Sequence, residues 1–287
     1  MIRLIAFVLT ICSSCFSQET LRLDFGVYPS DRATVMYRKF TPILDALRVP
    51  LESQLKRKVD IHLTIFKDYE TGIKALASGK IDFVRFGPSS YILAEQKNKD
   101  IQLLAMELRN GLKRFNGFII TKSDSCITKI SDLKGRSFAF GDKNSTIGRF
   151  LAQSLLVNEG INSKNLSKYD YLGRHDLVAK AVITGTHDAG AIKASTYKKL
   201  CDPDEIIIVE AFENVTKPWV AKSELPKEIC DAITAALIGM EITDDIGELG
   251  CSGFIDTNSK EYDQVRNAME HSKKFAPTKP STPIDKE

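Results

Sequence analysis

Short apolar runs alternate with stretches whose apolar positions recur every three or four residues, and this alternation continues along most of the chain. Leu21–Val27 reads as a strand and Thr41–Leu55 as a helix. Ile61–Phe66 alternates as a second strand, and Glu70–Ser78 has helical spacing closed by Gly79 as a C-cap. Ile81–Phe86 is a third strand; Gly87-Pro88-Ser89-Ser90 breaks it and opens a helix through Ala94, after which Ile101–Leu108 returns as a strand. Such repeated strand–helix–strand units predict an α/β architecture with parallel pairing.

A second series opens at Phe118–Thr121. Ile130-Ser131-Asp132-Leu133-Lys134-Gly135 reads as a short helical turn before the strand Ser137–Phe140. An amphipathic helix follows, with its apolar face on Ile147, Phe150, Leu151 and Leu155. Tyr169–Leu172 is a strand, Asp176–Thr184 a helix, His187–Ile192 a strand, and Ile206–Val209 an apolar run. The C-terminal part holds the strand Trp219-Val220-Ala221, the helix Lys227–Ile238, and a Pro- and Lys-rich solvated tail from Ala276 onward.

At the N-terminus Arg3 precedes the apolar run Leu4–Cys12, followed by Ser13, Ser14, Cys15, Phe16, Ser17 and Gln18. This reads as a secretory signal peptide over residues 1–17, since the run is about half of the roughly 20 residues a spanning helix needs. Export is the expectation, with lipid anchoring at Cys12 or Cys15 as the alternative. Beyond that segment remain Cys126, Cys201, Cys230 and Cys251, whose pairing the sequence leaves open.

Composition narrows the function. Forty Lys and Arg against 37 Asp and Glu give a formal charge of +3, too small to mark a nucleic-acid surface but compatible with a small anion. No HExxH, GxSxG, Walker loop or GxGxxG occurs, and the histidines at 62, 175, 187 and 271 do not cluster with cysteines. No enzymatic motif, metal site or cofactor site is therefore expected. What stands out is the junction Gly141-Asp142-Lys143-Asn144-Ser145-Thr146, which places hydroxyls at a helix start, where free N–H groups and the positive dipole end favour an oxyanion. Ordinary N-capping by Asn144 or Ser145 accounts for the same residues.

Asp142-Lys143-Asn144-Ser145-Thr146-Ile147-Gly148 resembles the D-x-x-S-T-S-G segment of the periplasmic phosphonate-binding family, which serves phosphate, phosphite and phosphonate transporters. Asp68-Tyr69, Ile81-Asp82, Phe86-Gly87-Pro88-Ser89-Ser90-Tyr91, Asp132-Leu133-Lys134-Gly135, Gly173-Arg174-His175-Asp176 and His187-Asp188-Ala189-Gly190-Ala191 extend the resemblance over residues 21–268. It implies a two-lobed type II periplasmic binding protein, each lobe a sheet flanked by helices, joined by a two-strand hinge. Residues 18–114 and 212–287 would form one lobe and 115–211 the other.

Carried over residue by residue, the resemblance puts oxyanion contacts on Ser145, Thr146, the backbone of Ile147, His175 and Tyr69. Asp188 is instead expected to be structural. Two hydroxyls of the family pattern are replaced, by Ile147 and by Phe115, which predicts a drier and smaller pocket. Ser195 and Lys217 stand where acids would clasp the ammonium of an aminoalkyl phosphonate, which argues against a cation subsite. The expected ligand is thus a compact oxyanion such as phosphite, phosphate or methylphosphonate, delivered to an ABC permease. The alternative is a receptor for a membrane sensor histidine kinase, responding to arsenite through Cys126.

Overall fold

The computed structural model describes residues 19–29, 32–243, 246 and 248–276. The signal-peptide reading of residues 1–17, the anchoring alternative at Cys12 or Cys15, and the tail beyond Ala276 lie outside the described residues.

The first strand, β1 (Leu21–Val27), leads into α1 (Ala33–Leu55), whose stripe Met36, Phe40, Ile43, Leu44, Leu47, Leu51 and Leu55 is buried against the sheet. This helix begins eight residues before the expected Thr41. Thr41 and Pro42 look like a cap and a first turn, yet Met36 and Phe40 already belong to the buried stripe and packing extends the helix through them. Then follow β2 (Val59–Ile65), α2 (Tyr69–Ala77), β3 (Phe83–Arg85), α3 (Pro88–Lys97) and β4 (Gln102–Leu108). Gly79 closes the α2 end with φ of 71°.

Next come β5 (Arg114–Lys122), a single 3₁₀ turn at Ile130–Leu133, and β6 (Ser137–Phe140). A π-helical segment, Thr146–Leu151, runs directly into α4 (Ala152–Asn158). The series continues with β7 (Lys168–Tyr171), α5 (His175–Ile183), β8 (Ala189–Lys193), α6 (Ala194–Leu200) and β9 (Ile206–Val215). The chain ends in β10 (Pro218–Ala221), α7 (Lys227–Ile238), β11 (Gly253–Ile255), a 3₁₀ turn at Ser259–Tyr262 and α8 (Asp263–Ser272).

These strands form two sheets, in the orders β11-β4-β10-β3-β1-β2 and β7-β6-β8-β5-β9. β1 pairs in parallel with β2 and β3, as the repeating units predict, and β6 pairs in parallel with β7 and β8. The expectation of parallel pairing fails for β4. β10, arriving from more than a hundred residues downstream, inserts antiparallel between β3 and β4, and β11 adds antiparallel on the other side of β4. In the second sheet β5 is antiparallel to both β8 and β9. Both sheets are therefore mixed.

The chain passes from the first sheet to the second between Leu108 and Arg114, and back between Val215 and Pro218. The two passages lie side by side, tied by Thr216 N–H to the Lys113 carbonyl and by Glu107 N–H to the Lys217 carbonyl, both 3.0 Å. Behind them a buried ion pair pins β3 to β4. Arg85 Nε and Nη2 donate to the two carboxylate oxygens of Glu107 at 2.6 and 2.8 Å, and Trp219 Nε1 adds a third donor at 3.2 Å.

A third passage occurs near the C-terminus. Tyr262 is buried in the core of the first sheet, α8 then packs on α3, on the π-helical segment and on α4, and Phe275 is fully buried in the core of the second sheet beside Phe140 and Tyr169. Ser163 N–H donates to the Phe275 carbonyl at 2.7 Å. Burying an aromatic of this size contributes about 1.5–3 kcal/mol. Asp188 is structural as expected, its carboxylate accepting from Ser137 N–H at 2.7 Å and Ser137 Oγ at 2.6 Å.

Candidate functional site

Four helical segments start at one place. α2 starts at Tyr69 because Asp68 caps it, its carboxylate accepting from Thr71 N–H at 2.7 Å and Thr71 Oγ1 at 2.6 Å. α3 starts at Pro88, whose missing N–H costs nothing in a first turn. The π-helical segment starts at Thr146, with Ser145 as its cap accepting from Gly148 N–H at 3.0 Å. α5 starts at His175. All four first residues line a single cavity of about 40 Å³. That is room for on the order of three water-sized bodies, the scale of a compact tetrahedral anion.

The π-helical start has a local cause. Phe150 N–H and Arg149 N–H both donate to the Ser145 carbonyl at 3.1 Å, so the first turn is one residue wider than an α-helical turn. Gly148 is needed beneath it: its carbonyl accepts from Gly141 N–H at 2.7 Å, and a Cβ there would stand 2.8 Å from the Gly141 Cα. This close backbone approach sets Ser145, Thr146 and Ile147 at the cavity wall.

Tyr28, immediately after β1, completes the opposite wall. Its ring stacks on Tyr69 with centroids 3.7 Å apart, while its hydroxyl accepts from Gly87 N–H at 2.6 Å and bonds Ser90 Oγ at 2.8 Å. Burial pushes the Tyr28 phenol up to about 12, and burial beside Tyr28 and Asp142 pushes Tyr69 well above its ordinary value. Both are neutral hydroxyls, able to donate to an anion. The Asp142 carboxyl is itself raised by burial, and it accepts from Asn144 N–H at 2.7 Å.

Basic side chains come from the hinge side. Lys193 ends β8 and Lys217 lies in the second passage between the sheets; both line the cavity. Burial, with the charges of Arg85 and Lys193, holds the Lys217 ammonium well below its usual range. Asn214 also lines the cavity, is 1% exposed, and has no partner for Oδ1 among the described residues. Turned either way, its amide offers the occupant an acceptor for a P–OH or a pair of donors.

The structure brings together all six residues expected at the site: Tyr69, Phe115, Ser145, Thr146, Ile147 and His175. Phe115 and Ile147 pack as an apolar wall with Leu151, Phe212 and Ala268. Lys217 is in the cavity, whereas Ser195 lines only neighbouring cavities. Sequence reasoning missed Tyr28, Lys193 and Asn214 as lining residues. The signal for Tyr28 was its place just beyond the C-terminal end of a parallel strand, where α/β sheets bind ligands.

Cys126 is exposed and sits apart, in a depression with Lys122, Asp124, Arg136, His187 and Asp188. It lines no part of the cavity described above. Cys201, Cys230 and Cys251 are free thiols as well, so the four cysteines are unbridged. Among the described residues no cluster of His, Cys, Asp or Glu could hold a metal ion, and no helix is long and apolar enough to cross a membrane.

The chain is 23% identical over 266 residues to a probable ABC transporter phosphite-binding protein, PhnD1, of Prochlorococcus marinus, covering 85% of this chain and 87% of the relative. It is 25% identical over 183 residues to a phosphate-import protein, PhnD, of Mycolicibacterium smegmatis, covering 60% and 54%. The solved structure of Prochlorococcus PhnD1 in complex with methylphosphonate superposes with a TM-score of 0.74 at 22% identity, covering 88% of this chain and 98% of that one, which establishes the shared fold. The sequence model of the family described as "ABC transporter, phosphonate, periplasmic substrate-binding protein" matches residues 25–262. The chain belongs to that family of periplasmic substrate-binding proteins.

Proposed function

We propose that this protein captures a compact phosphorus oxyanion (phosphate, phosphite or methylphosphonate) and hands it to an ABC permease. One observation carries the reading: the positive ends of four helical segments converge on a cavity of about 40 Å³ that hydroxyls, His175, Lys193 and Lys217 also line. In this arrangement Ser145 and Thr146 donate from one side, Tyr69 and the start of α3 from the other, and His175 adds a ring N–H. Phe115 and Ile147 exclude water, which strengthens each of those contacts. Methylphosphonate bound to Prochlorococcus PhnD1 and the phosphite and phosphate names of the two relatives support a ligand of this class.

The lobes follow the division inferred from the sequence, 18–114 with 212–287 and 115–211, shifted so that 212–215 stay with the second sheet and the segment from α8 to Phe275 packs back onto it, with closure between the lobes by hinge bending. Two passages of chain between the sheets, at Leu108–Arg114 and Val215–Pro218, support this division, with β9 carrying the second sheet through Val215. Export follows from residues 1–17 acting as a signal peptide. Transport is the role; nothing at Cys126 supports arsenite sensing.

A thermal-shift screen of phosphate, phosphite, methylphosphonate and sulfate tests the proposal. A phosphorus oxyanion at about 100 times its Kd stabilises the native state by about 2.7 kcal/mol. No shift with any of the three phosphorus anions overturns it.

A further inference from the structure

On the hinge side the wall of the oxyanion cavity is shared. A second cavity of about 430 Å³ adjoins it, sharing Phe115, Lys193 and Lys217 with it. Among the described residues six basic side chains line this second space: Lys39, Arg85, Arg109, Lys193, Lys198 and Lys217. Among the described residues the acid in the lining is Glu248, which is engaged by Arg38 Nε at 3.0 Å. Glu107, buried behind it, is taken up by Arg85 through two short hydrogen bonds, leaving Arg109 at a looser 3.7 Å. A third cavity of about 620 Å³ shares Lys39, Lys193 and Ser195 with the second and adds Arg32, Lys180 and Lys199, against Asp176, which pairs with Arg174 at 2.8 Å.

A ligand no larger than methylphosphonate leaves this basic space unused, and an ammonium tail would enter a field of its own sign. Basic side chains gathered at one place make a field that favours an anion there. Resting on the oxyanion reading above, we propose that the physiological ligand is a phosphonate bearing a second anionic group on a short carbon chain, a phosphonocarboxylate. Its phosphoryl head sits at the four helix starts, and its carboxylate reaches the second cavity between Lys217, Arg109 and Lys198. Lys217, which lines both cavities, lies between the two charges.

Calorimetry on the purified protein with methylphosphonate, phosphonoacetate, its neutral amide phosphonoacetamide, and 2-aminoethylphosphonate tests this. Phosphonoacetate binds about tenfold tighter than methylphosphonate and than its amide, the scale of one charge-assisted contact, and 2-aminoethylphosphonate binds more weakly than methylphosphonate. Lys198 is exposed and lines only the second cavity, so Lys198→Glu lowers phosphonoacetate affinity several-fold and leaves methylphosphonate affinity unchanged. Phosphonoacetate binding no tighter than its amide, or 2-aminoethylphosphonate binding tightest, overturns the second-anion proposal while the oxyanion reading stands. Failure of all four ligands together with phosphate and phosphite overturns the oxyanion reading and this proposal with it.

Discussion

The backbone N–H of Ser89, in the first turn of α3, donates to Thr146 Oγ1 at 3.0 Å, and the two side-chain hydroxyls lie 2.8 Å apart. Ser89 Oγ also reaches the Asn144 carbonyl at 2.6 Å. Helices that rest on different sheets thus meet tip to tip, and the hydroxyl that would grip a ligand is the one that joins them. Thr146→Ala removes both a donor to the anion and this junction. Oxyanion affinity falls about tenfold or more, as expected for a hydrogen bond to a charged group. His175→Ala gives a loss of the same order with the junction intact. Calorimetry on both variants checks this, and wild-type affinity in both removes these residues from the site.

Lys217 gives the site a pH signature. Its ammonium is disfavoured by burial and by Arg85 and Lys193, and an incoming anion reverses that balance, so binding draws a proton from solvent. On the alkaline side, where the anion is fully ionised and Lys217 is neutral in the free protein, titrations in two buffers of different ionisation enthalpy show proton uptake, and Lys217→Met abolishes it. Affinity declines as pH rises above the lowered Lys217 value. Native stability rises with pH between that value and the ordinary lysine range, because there the unfolded chain holds more protons. Equal heats in the two buffers contradict this account.

Glu107 sets the acid limit. Burial alone would raise its carboxyl, but the Arg85 charge and hydrogen bonds hold it down to about 2. Its contribution to stability is fully present above 4.5 and is lost as pH falls from there towards about 2. Glu107→Gln leaves Arg85 buried and uncompensated, at a cost of about 3–5 kcal/mol. Urea denaturation at neutral pH measures the cost; a change below 1 kcal/mol means that Arg85 is not confined as described.

Cysteine reactivity separates transport from thiol sensing. Burial pushes the thiols of Cys201, Cys230 and Cys251 up to about 11, whereas Cys126 is exposed. Near neutral pH a maleimide labels Cys126 first. Cys126→Ala leaves the oxyanion response unchanged, and arsenite produces no Cys126-dependent shift in the melting temperature. A shift with arsenite that disappears in Cys126→Ala reverses this reading.

Periodicity located most elements because a strand or helix writes its own buried face into consecutive residues, as Leu21–Val27 and Lys227–Ile238 do. Pairing direction was not legible for β4, since β10 and β11 come from distant sequence and leave no local mark on residues 102–108. The hydroxyls at Ser145 and Thr146 were visible as a helix start, but the width of that turn was not, because Ile147, Phe150 and Leu151 suit an α-helical and a π-helical face equally. Asn214 and Lys193 reach the cavity through the ends of strands β9 and β8 in the second sheet, a placement set by three-dimensional register rather than by neighbouring residues.

The burial of Phe275 also orders events during synthesis. When residues 114–215 have left the ribosome, all five strands of the second sheet exist, yet the aromatic plug against Phe140 and Tyr169 is some sixty residues from being made. That half of the molecule is sealed only by nearly the last described residue of the chain. Until Phe275 follows, the faces of Phe140 and Tyr169 that it covers stay open, so the second sheet cannot complete its core from its own strands alone.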